Sequence, residues 1–324
     1  MEAARPGAPG IDRDWVAVAA SALGLIFSVG TLSVYTFGIF VHPLGKAFGW
    51  SRTQLSLTLA ISQYGLAFSS PAWGVLTDRF GPRAALLPST AALGLLVASI
   101  SLLTPHLWHL YLVFAAIPLL AGGATPLGYS SVLIRLFERH LGLSLGLAIM
   151  GVGIGAFLLP PLTQQLVGSI GWRGAYGVLG LLTLVVGLPA ALVATRNAAG
   201  PVLRQSGARV SAVLPLLGTR AFLLMCAIFL LLGAISVGTL AHLVPMMVDR
   251  GFTPGAAARV AAVTGVATLL GRGGIGWVLD RISASYVLAA VSLFAAVAFL
   301  LLGYSGGKGA SYLAAFLLGG VIGA

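Results

Sequence analysis

The chain has 324 residues, of which 58% are hydrophobic and only 8% are charged, and its formal net charge is +11. A soluble domain carries roughly 25% charged residues, so this composition excludes a protein whose whole surface faces water. The 18 Lys and Arg residues are scattered singly through short polar stretches instead of forming a basic face, which argues against nucleic-acid binding.

Ten apolar segments follow one another along the chain, most of them long enough to cross a bilayer as a helix. They are predicted at 15–41, 54–76, 84–103, 108–133, 143–167, 173–194, 220–247, 256–279, 286–303 and 310–324. Turn residues separate them, such as Gly171-Trp172-Arg173 between the fifth and the sixth. The segments are continuously apolar and do not alternate, so the pattern favours helices over a closed barrel. The single cysteine, Cys226, excludes an internal disulfide.

The order of segments predicts the domain organisation and the orientation. We expect a cytoplasmic N-terminus at 1–14, an N-terminal six-helix half at 15–194, a central cytoplasmic linker at 195–219 and an incomplete C-terminal half with helices 7 to 10 at 220–324. Loops on one side hold eleven Lys and Arg residues, against six on the other. The more basic side is predicted to be cytoplasmic. The opposite side is called the outer end below; its basic residues are Lys46, Arg52, Arg173, Arg250, Arg259 and Lys308.

An internal repeat relates the two halves at an offset of 202 residues without a gap. Its matches are Pro43 with Pro245, Gly49-Trp50-Ser51 with Gly251-Phe252-Thr253, Gly74 with Gly276, and Asp78-Arg79 with Asp280-Arg281. Ser51 and Thr253 are each predicted to be the N-cap of the next helix. Two parallel repeats of about 200 residues predict a protein of about 400 residues with six helices per half, so we expect helices 11 and 12 to be missing from this sequence.

The repeated loop carries a family resemblance. The stretch Gly74-Val75-Leu76-Thr77-Asp78-Arg79-Phe80-Gly81-Pro82-Arg83 resembles the signature between helices 2 and 3 of the major facilitator superfamily. The stretches 40–52 and 137–173 are similar to the monocarboxylate and oxalate:formate exchanger group. The resemblance implies an all-α integral membrane protein with the major facilitator fold, in two six-helix halves with about ten of twelve helices present. It further implies a secondary transporter, not an enzyme, without cofactor or metal.

One departure from the animal carriers narrows the resemblance. Those carriers begin helix 1 with an acidic-Gly-Gly-aromatic motif, whereas this chain has Asp12-Arg13-Asp14-Trp15. We therefore expect a bacterial-type relative in the cytoplasmic membrane.

Arg272 is the residue most informative about substrate. It lies within the eighth segment, eight residues before Asp280 and so about 12 Å from that helix end. An arginine in hydrocarbon costs at least a few kcal/mol and cannot escape by losing its proton. No acidic residue lies within the ten predicted helices, so a carboxylate substrate is the predicted partner of its guanidinium. The similar carriers also hold a substrate-binding arginine in helix 8. The alternative is that Arg272 extends to the cytoplasmic surface and is structural.

Further polar residues are candidates for the substrate pathway. Tyr35, Tyr129 and His242 are predicted to line it, each against the alternative of packing or an interfacial position. Gln63 and Gln164 are further candidate lining residues. The similar carriers often have an acid one turn before the arginine, where this chain has Thr268. That favours exchange with a counter-anion, or a coupling residue in the missing helices, over a proton carried at this position, with His242 as a fallback proton carrier.

Charged residues at cytoplasmic helix ends are predicted to form a gate between the halves, against the alternative of ordinary loop solvation. They are Asp78, Arg79, Arg83, Asp280 and Arg281. Gating by charges at helix ends suits two halves that rock about a central site.

Glycine and proline motifs have structural interpretations. Gly271 to Gly276 matches G-x-G-x-x-G but follows no strand, so we reject nucleotide binding. Gly151, Gly153 and Gly155 are predicted to mark close helix packing, and Pro160-Pro161 a break in the same helix. The predicted function is transport of small mono- or dicarboxylates, by exchange or with a coupled proton. A carrier of a drug or a sugar is the alternative, and a membrane enzyme or receptor is disfavoured.

Overall fold

A computed structural model describes residues 11–137, 140–198, 219–279, 283–304 and 307–323. Within these ranges all regular structure is helical. Six helical stretches of the described residues are long and apolar enough to cross a membrane. The predicted all-α, multi-pass membrane fold is confirmed.

The α-helices are numbered in chain order. They are α1 (Ile11–Ile26), α2 (Phe37–Phe48), α3 (Arg52–Phe80), α4 (Pro82–Ser99), α5 (Leu107–Ala121), α6 (Pro126–Leu136), α7 (Leu141–Leu182), α8 (Leu188–Ala194), α9 (Arg220–Asp249), α10 (Pro254–Leu279), α11 (Ala284–Tyr304) and α12 (Lys308–Gly323). They build the ten predicted segments, called spans 1 to 10. Span 1 is α1 with α2, spans 2 and 3 are α3 and α4, and span 4 is α5 with α6. The segment α7–α8 forms spans 5 and 6, and α9 to α12 are spans 7 to 10.

Spans 1 and 4 are broken near their middles, where the sequence predicts continuous helices. A π-helical turn at Thr31–Tyr35 separates α1 from α2, and α5 ends at Ala121, before α6 begins at Pro126. The backbone N–H of Val29 in the first break donates to the carbonyl of Ala124 in the second, at 3.2 Å. Non-helical backbone at membrane depth persists where other protein groups satisfy it. The two breaks therefore support each other inside the N-terminal half.

Spans 5 and 6 are joined by a sharp change of direction within α7. Gly171 has φ 75° and ψ 171°, outside the helical region, which confirms the predicted turn. The guanidinium of Arg173 donates to the carbonyls of Ser101 and Leu103 at 2.7 and 2.9 Å, and so caps the end of span 3. The predicted break at Pro160-Pro161 is wrong, because both prolines lie inside the continuous helix. Surrounding helices make such prolines tolerable in a membrane span.

The internal repeat is visible in the backbone at the start of spans 2 and 8. Gly49 and Gly251 both adopt positive φ, at 72° and 84°. The Ser51 hydroxyl accepts from the backbone N–H of Gln54 at 3.2 Å, and the Thr253 hydroxyl accepts from that of Ala256 at 3.3 Å. Both predicted N-caps are confirmed, so the two halves begin these helices with the same local chemistry.

Replacing Ser51 with alanine is expected to lower the free energy of unfolding by about 1 kcal/mol, because one N-terminal N–H of α3 loses its acceptor. The Gln54 side chain reciprocates by accepting from the Ser51 N–H at 2.8 Å, so the change removes half of a capping box. Thermal unfolding of purified protein in detergent measures the effect. The control is Thr53→Ala, two residues away and outside the two capping hydrogen bonds, which join Ser51 and Gln54. Equal unfolding midpoints for the two variants would contradict the capping role.

The two halves touch where spans 5 and 8 cross. A Cβ at Gly153 would lie 2.9 Å from Cβ of Leu269, and a Cβ at Gly265 would overlap the backbone of Ala156 and Phe157. On its other face span 5 packs on span 1, since a Cβ at Gly155 would lie 2.7 Å from the Ile26 carbonyl oxygen. The predicted close packing of the span 5 glycines is confirmed, and small residues allow this approach.

Candidate functional site

Arg272 lies at the interface of the two halves. Its guanidinium is partly buried and donates one hydrogen bond, at 3.4 Å, to the backbone carbonyl of Ile149 in span 5. A guanidinium has five N–H donors, and this bond is long. In the described ranges no carboxylate forms an ion pair with Arg272. The cation thus faces the N-terminal half without an acidic partner from the described protein.

Tyr35 of span 1 belongs to the N-terminal half and lies near Arg272 of the C-terminal half. Its side chain is only 8% exposed, and its hydroxyl lies near Thr268 and close enough to Arg272 for electrostatic interaction. Thr268 is buried, and its hydroxyl lies within donating distance of two carbonyls, that of Thr264 at 2.8 Å and that of Gly319 in span 10 at 3.1 Å. Tyr35, Thr268 and Arg272 are called the Arg272 cluster below.

The local backbone explains how these three residues meet. Tyr35 ends the π-helical turn, whose wider winding changes the direction of the side chains that follow α1. Next to Arg272, a Cβ at Gly271 would lie 3.1 Å from the carbonyl oxygen of Gly320 in span 10. Span 8 therefore packs tightly on span 10 through Gly271, while the neighbouring Arg272 reaches span 5.

Tyr129 and His242 are not part of this cluster. Tyr129 is 1% exposed and packs against Gly24 inside the N-terminal half, so its position is that of a core residue. His242 is exposed, and its Nε2 lies 3.3 Å from the Ser56 hydroxyl of span 2. His242 and Gln63 line a groove of about 590 Å³ between spans 2 and 7. Gln164 lines a separate cavity at the outer end. The five residues predicted to line one pathway therefore lie in different places.

The predicted cytoplasmic gate is only partly within the described residues. Asp78, Arg79 and Arg83 are exposed at the ends of α3 and α4. The Arg79 guanidinium lies over the Phe80 ring at 5.3 Å from its centre, and Asp78 is close enough to Arg135 to interact electrostatically. Asp280 and Arg281 lie outside the described residues, so the gate between the halves stays a prediction.

An ion pair that the sequence analysis missed joins the halves at the outer end. Arg52 at the start of α3 makes a bidentate contact with Asp249 at the end of α9, with 2.7 Å between Nη2 and Oδ1. His42 Nε2 lies 3.7 Å from Asp249 Oδ1. Arg52, Asp249 and His42 are called the outer clamp below. The Arg52 guanidinium holds the pKa of the Asp249 carboxyl below its usual range, because it stabilises the carboxylate.

The internal repeat could have predicted that Arg52 and Asp249 lie at the same end of the molecule. Residues 52 and 249 are 197 apart in sequence, close to the 202-residue offset, so equivalent loops bring both to the outer end. Their pairing across the halves nevertheless depends on how the halves dock, which the offset does not specify.

The sequence pattern of the Major Facilitator Superfamily matches residues 23–324. The chain belongs to this superfamily. "Monocarboxylate transporter 13" of Bos taurus is 32% identical over 264 residues, which cover 80% of this chain and 59% of that protein. "Multidrug resistance protein MdtG" of Escherichia coli (strain SMS-3-5 / SECEC) is 25% identical over 292 residues, which cover 88% of this chain and 69% of that protein.

Solved structures of other superfamily members agree with the fold. A bacterial homologue of the human lysosomal transporter Spinster superposes with a TM-score of 0.63 at 15% identity, over 98% of this chain and 74% of that one. The chain spans 59% of the length of the monocarboxylate transporter it matches. The Arg272 cluster combines Tyr35 of the N-terminal half with Thr268 and Arg272 of the C-terminal half. It therefore lies between the halves, where transporters built from two repeats have their substrate sites.

Proposed function

We propose that the protein carries small organic anions, mono- or dicarboxylates, across the membrane by alternating access, as an exchanger or a proton symporter. The observation that carries the proposal is Arg272, a permanent cation between the halves with no acidic partner among the described residues. A substrate carboxylate supplies the missing charge and accepts from the guanidinium in bidentate geometry. The similarity to a monocarboxylate transporter supports this class of substrate.

The other members of the Arg272 cluster have supporting roles in this proposal. Tyr35 contributes a hydroxyl from the N-terminal half, so a bound anion contacts both halves at once. Thr268 lies near that hydroxyl and is itself fixed by the carbonyls of Thr264 and Gly319. An anion that contacts both halves stabilises the state in which they are closed around it, which couples binding to rocking.

The chemistry of Thr268 bears on the coupling ion. A threonine does not titrate at physiological pH, so the position one turn before Arg272 carries no proton. This supports exchange with a counter-anion or a coupling residue in helices 11 and 12, with His242 as the fallback proton carrier. Uptake of labelled formate, lactate and oxalate by the full-length protein in proteoliposomes tests the proposal. Stimulation by an internal carboxylate supports exchange, whereas stimulation by an inward proton gradient supports symport.

The outer clamp joins the two halves at the outer end in the state described here. Arg52 and Asp249 belong to different halves, so the pair holds the halves together at this end and must separate when the outer end opens. Because Arg52 lowers the pKa of Asp249, the pair is complete above the ordinary Asp pKa and is lost only as the pH falls through the lowered value. The Asp249 charge is thus constant from neutral pH down to about pH 5.

Replacing Arg52 with alanine is expected to expose the outer end. In a Cys226→Ala background, a cysteine introduced at Leu240, which is buried against Val34 and Tyr35 of span 1, reports access through its rate of reaction with a membrane-impermeant thiol reagent. We expect up to a five-fold faster reaction, the effect of losing an exposed ion pair worth about 1 kcal/mol. The charge swap Arg52→Asp with Asp249→Arg should restore the slow rate. Arg250→Ala is the control, because Arg250 donates to the Leu302 carbonyl within the C-terminal half. A swap that labels as fast as Arg52→Ala would contradict the clamp.

A carrier of an apolar or sugar-like cargo is the second candidate. The observation that favours it is the groove of about 590 Å³ between spans 2 and 7, whose lining is mostly apolar. Similarity to a multidrug resistance protein supports the same alternative. In that case Arg272 is structural, and its substitution leaves transport of the neutral cargo unchanged.

A further inference from the structure

A cavity of about 720 Å³ opens at the outer end between spans 1, 5, 7 and 8. Its lining residues are Gly38, Ile39, His42, Pro43, Lys46, Ala47, Gln164, Val167, Gly171, Trp172, Val244, Val248 and Pro254. This cavity is called the outer vestibule. Its volume is typical of small-molecule sites, and its walls are largely apolar.

The charge of the outer vestibule is one-sided. His42 and Lys46 line it, and no acidic residue is among its lining residues in the described chain. The nearby carboxylate of Asp249 is already paired with Arg52, and His42 Nε2 also lies 3.7 Å from it. Lys46 is exposed and forms no ion pair with the described residues. Apolar walls of low dielectric focus the field of the Lys46 ammonium into the cavity.

Tyr35, His42 and Lys46 follow one another along span 1, from the Arg272 cluster to the outer vestibule. His42 and Lys46 are four residues apart in α2 and therefore share one face of that helix. Tyr35 lies seven residues before His42, at the end of the π-helical turn that precedes α2. Span 1 thus joins the two places, with Tyr35 near Arg272 and Lys46 in the vestibule.

We propose that the outer vestibule is a separate anion site, in which Lys46 and His42 bind a small organic carboxylate before it moves along span 1 to Arg272. The inference rests on the proposed transport of organic anions and adds a second site on the outer side. Lys46 supplies the main attraction, since it is unpaired, and His42 supplies a second donor. Trp172 and the apolar walls exclude competing bulk water from one side of the anion.

Fluorescence of Trp172 tests binding directly, without transport. Oxalate is titrated into the purified full-length protein in detergent, and the part of the emission change that Trp172→Phe removes is assigned to the vestibule. We expect Lys46→Ala to raise the apparent Kd of that signal about three- to five-fold, the effect expected for one exposed ion pair. Lys46→Arg should retain binding. Lys308→Ala is the matched control, because it removes the same charge from the outer end outside the vestibule.

The Arg272→Ala variant separates this inference from the proposed function. A saturable Trp172 signal that persists in Arg272→Ala and weakens in Lys46→Ala supports a separate outer site. A signal that disappears in Arg272→Ala, or that Lys46→Ala leaves unchanged, overturns it while leaving transport through Arg272 intact. The same oxalate titration in phosphatidylcholine nanodiscs, with and without anionic lipid, distinguishes a site for free carboxylates from a site for lipid headgroups. An oxalate signal that anionic lipid abolishes assigns the site to lipid headgroups and also overturns the inference.

Discussion

Replacing Arg272 with alanine is expected to reduce carboxylate uptake by roughly ten- to a hundred-fold. The variant loses charge-assisted hydrogen bonds to the substrate, each worth about 1.5–3 kcal/mol, in a partly buried site between the halves. Arg272→Lys should recover only part of the activity, because an ammonium keeps the charge but lacks the planar fork that matches a carboxylate. Initial rates of labelled formate, lactate and oxalate uptake by the full-length protein in proteoliposomes measure both effects.

The control for this experiment is Arg250→Ala. Arg250 is also an arginine of the C-terminal half, but its guanidinium is bonded to the backbone carbonyl of Leu302, away from span 5. It should transport at close to the normal rate. Normal carboxylate uptake by Arg272→Ala would instead make Arg272 structural, whereas no carboxylate uptake by the unchanged protein would favour the carrier of another cargo.

Replacing Gly265 with alanine is expected to destabilise the described state by about 3 kcal/mol or more, the upper part of the range for overpacking. The added methyl group would overlap the backbone of Ala156 and Phe157, and backbone cannot rotate away as a flexible side chain can. Spans 5 and 8 must therefore separate along the surface where the halves meet. We expect a lower unfolding temperature of the purified protein in detergent and a lower rate of uptake in proteoliposomes.

Gly255→Ala is the matched control for the packing prediction. Gly255 lies on the same helix, α10, and the nearest atom that an added Cβ would meet is Nη1 of Arg259 at 3.9 Å, an ordinary contact. Gly255 lies in the first turn, where the gain in helix propensity is smaller than at the interior Gly265. A lower stability of Gly265→Ala is therefore due to the contact with span 5 and not to propensity. If Gly265→Ala unfolds at the same temperature as Gly255→Ala, the close approach of spans 5 and 8 is not required for stability.

Sequence reasoning succeeded where the physics is local. Turn residues and apolar runs predicted the ten spans, and the offset of 202 residues predicted the paired N-caps at Ser51 and Thr253. An N-cap depends on one side chain and a backbone N–H three residues away, so the chain itself holds all the information. The sequence also predicted that Arg272 needs a partner, because a permanent charge inside an apolar membrane segment is costly however the segment packs.

The breaks in spans 1 and 4 show where local reasoning ends. Each segment is apolar throughout and was predicted as one helix. The backbone N–H of Val29 is satisfied by the carbonyl of Ala124, a residue of a different span. A broken helix in a membrane is stable only with such a partner, so neither break is decided by its own segment.

The sequence by itself determined the membrane class, the spans, the repeat and one cation that requires a partner. Only the tertiary structure decided that Tyr35, and not Tyr129 or His242, lies beside Arg272, and that Arg52 meets Asp249 at the outer end. The physical reason is that lipid and the protein core are both apolar, so hydropathy does not reveal which face of a membrane helix points inward. That choice is made by close packing between helices, which depends on the shapes of both partners.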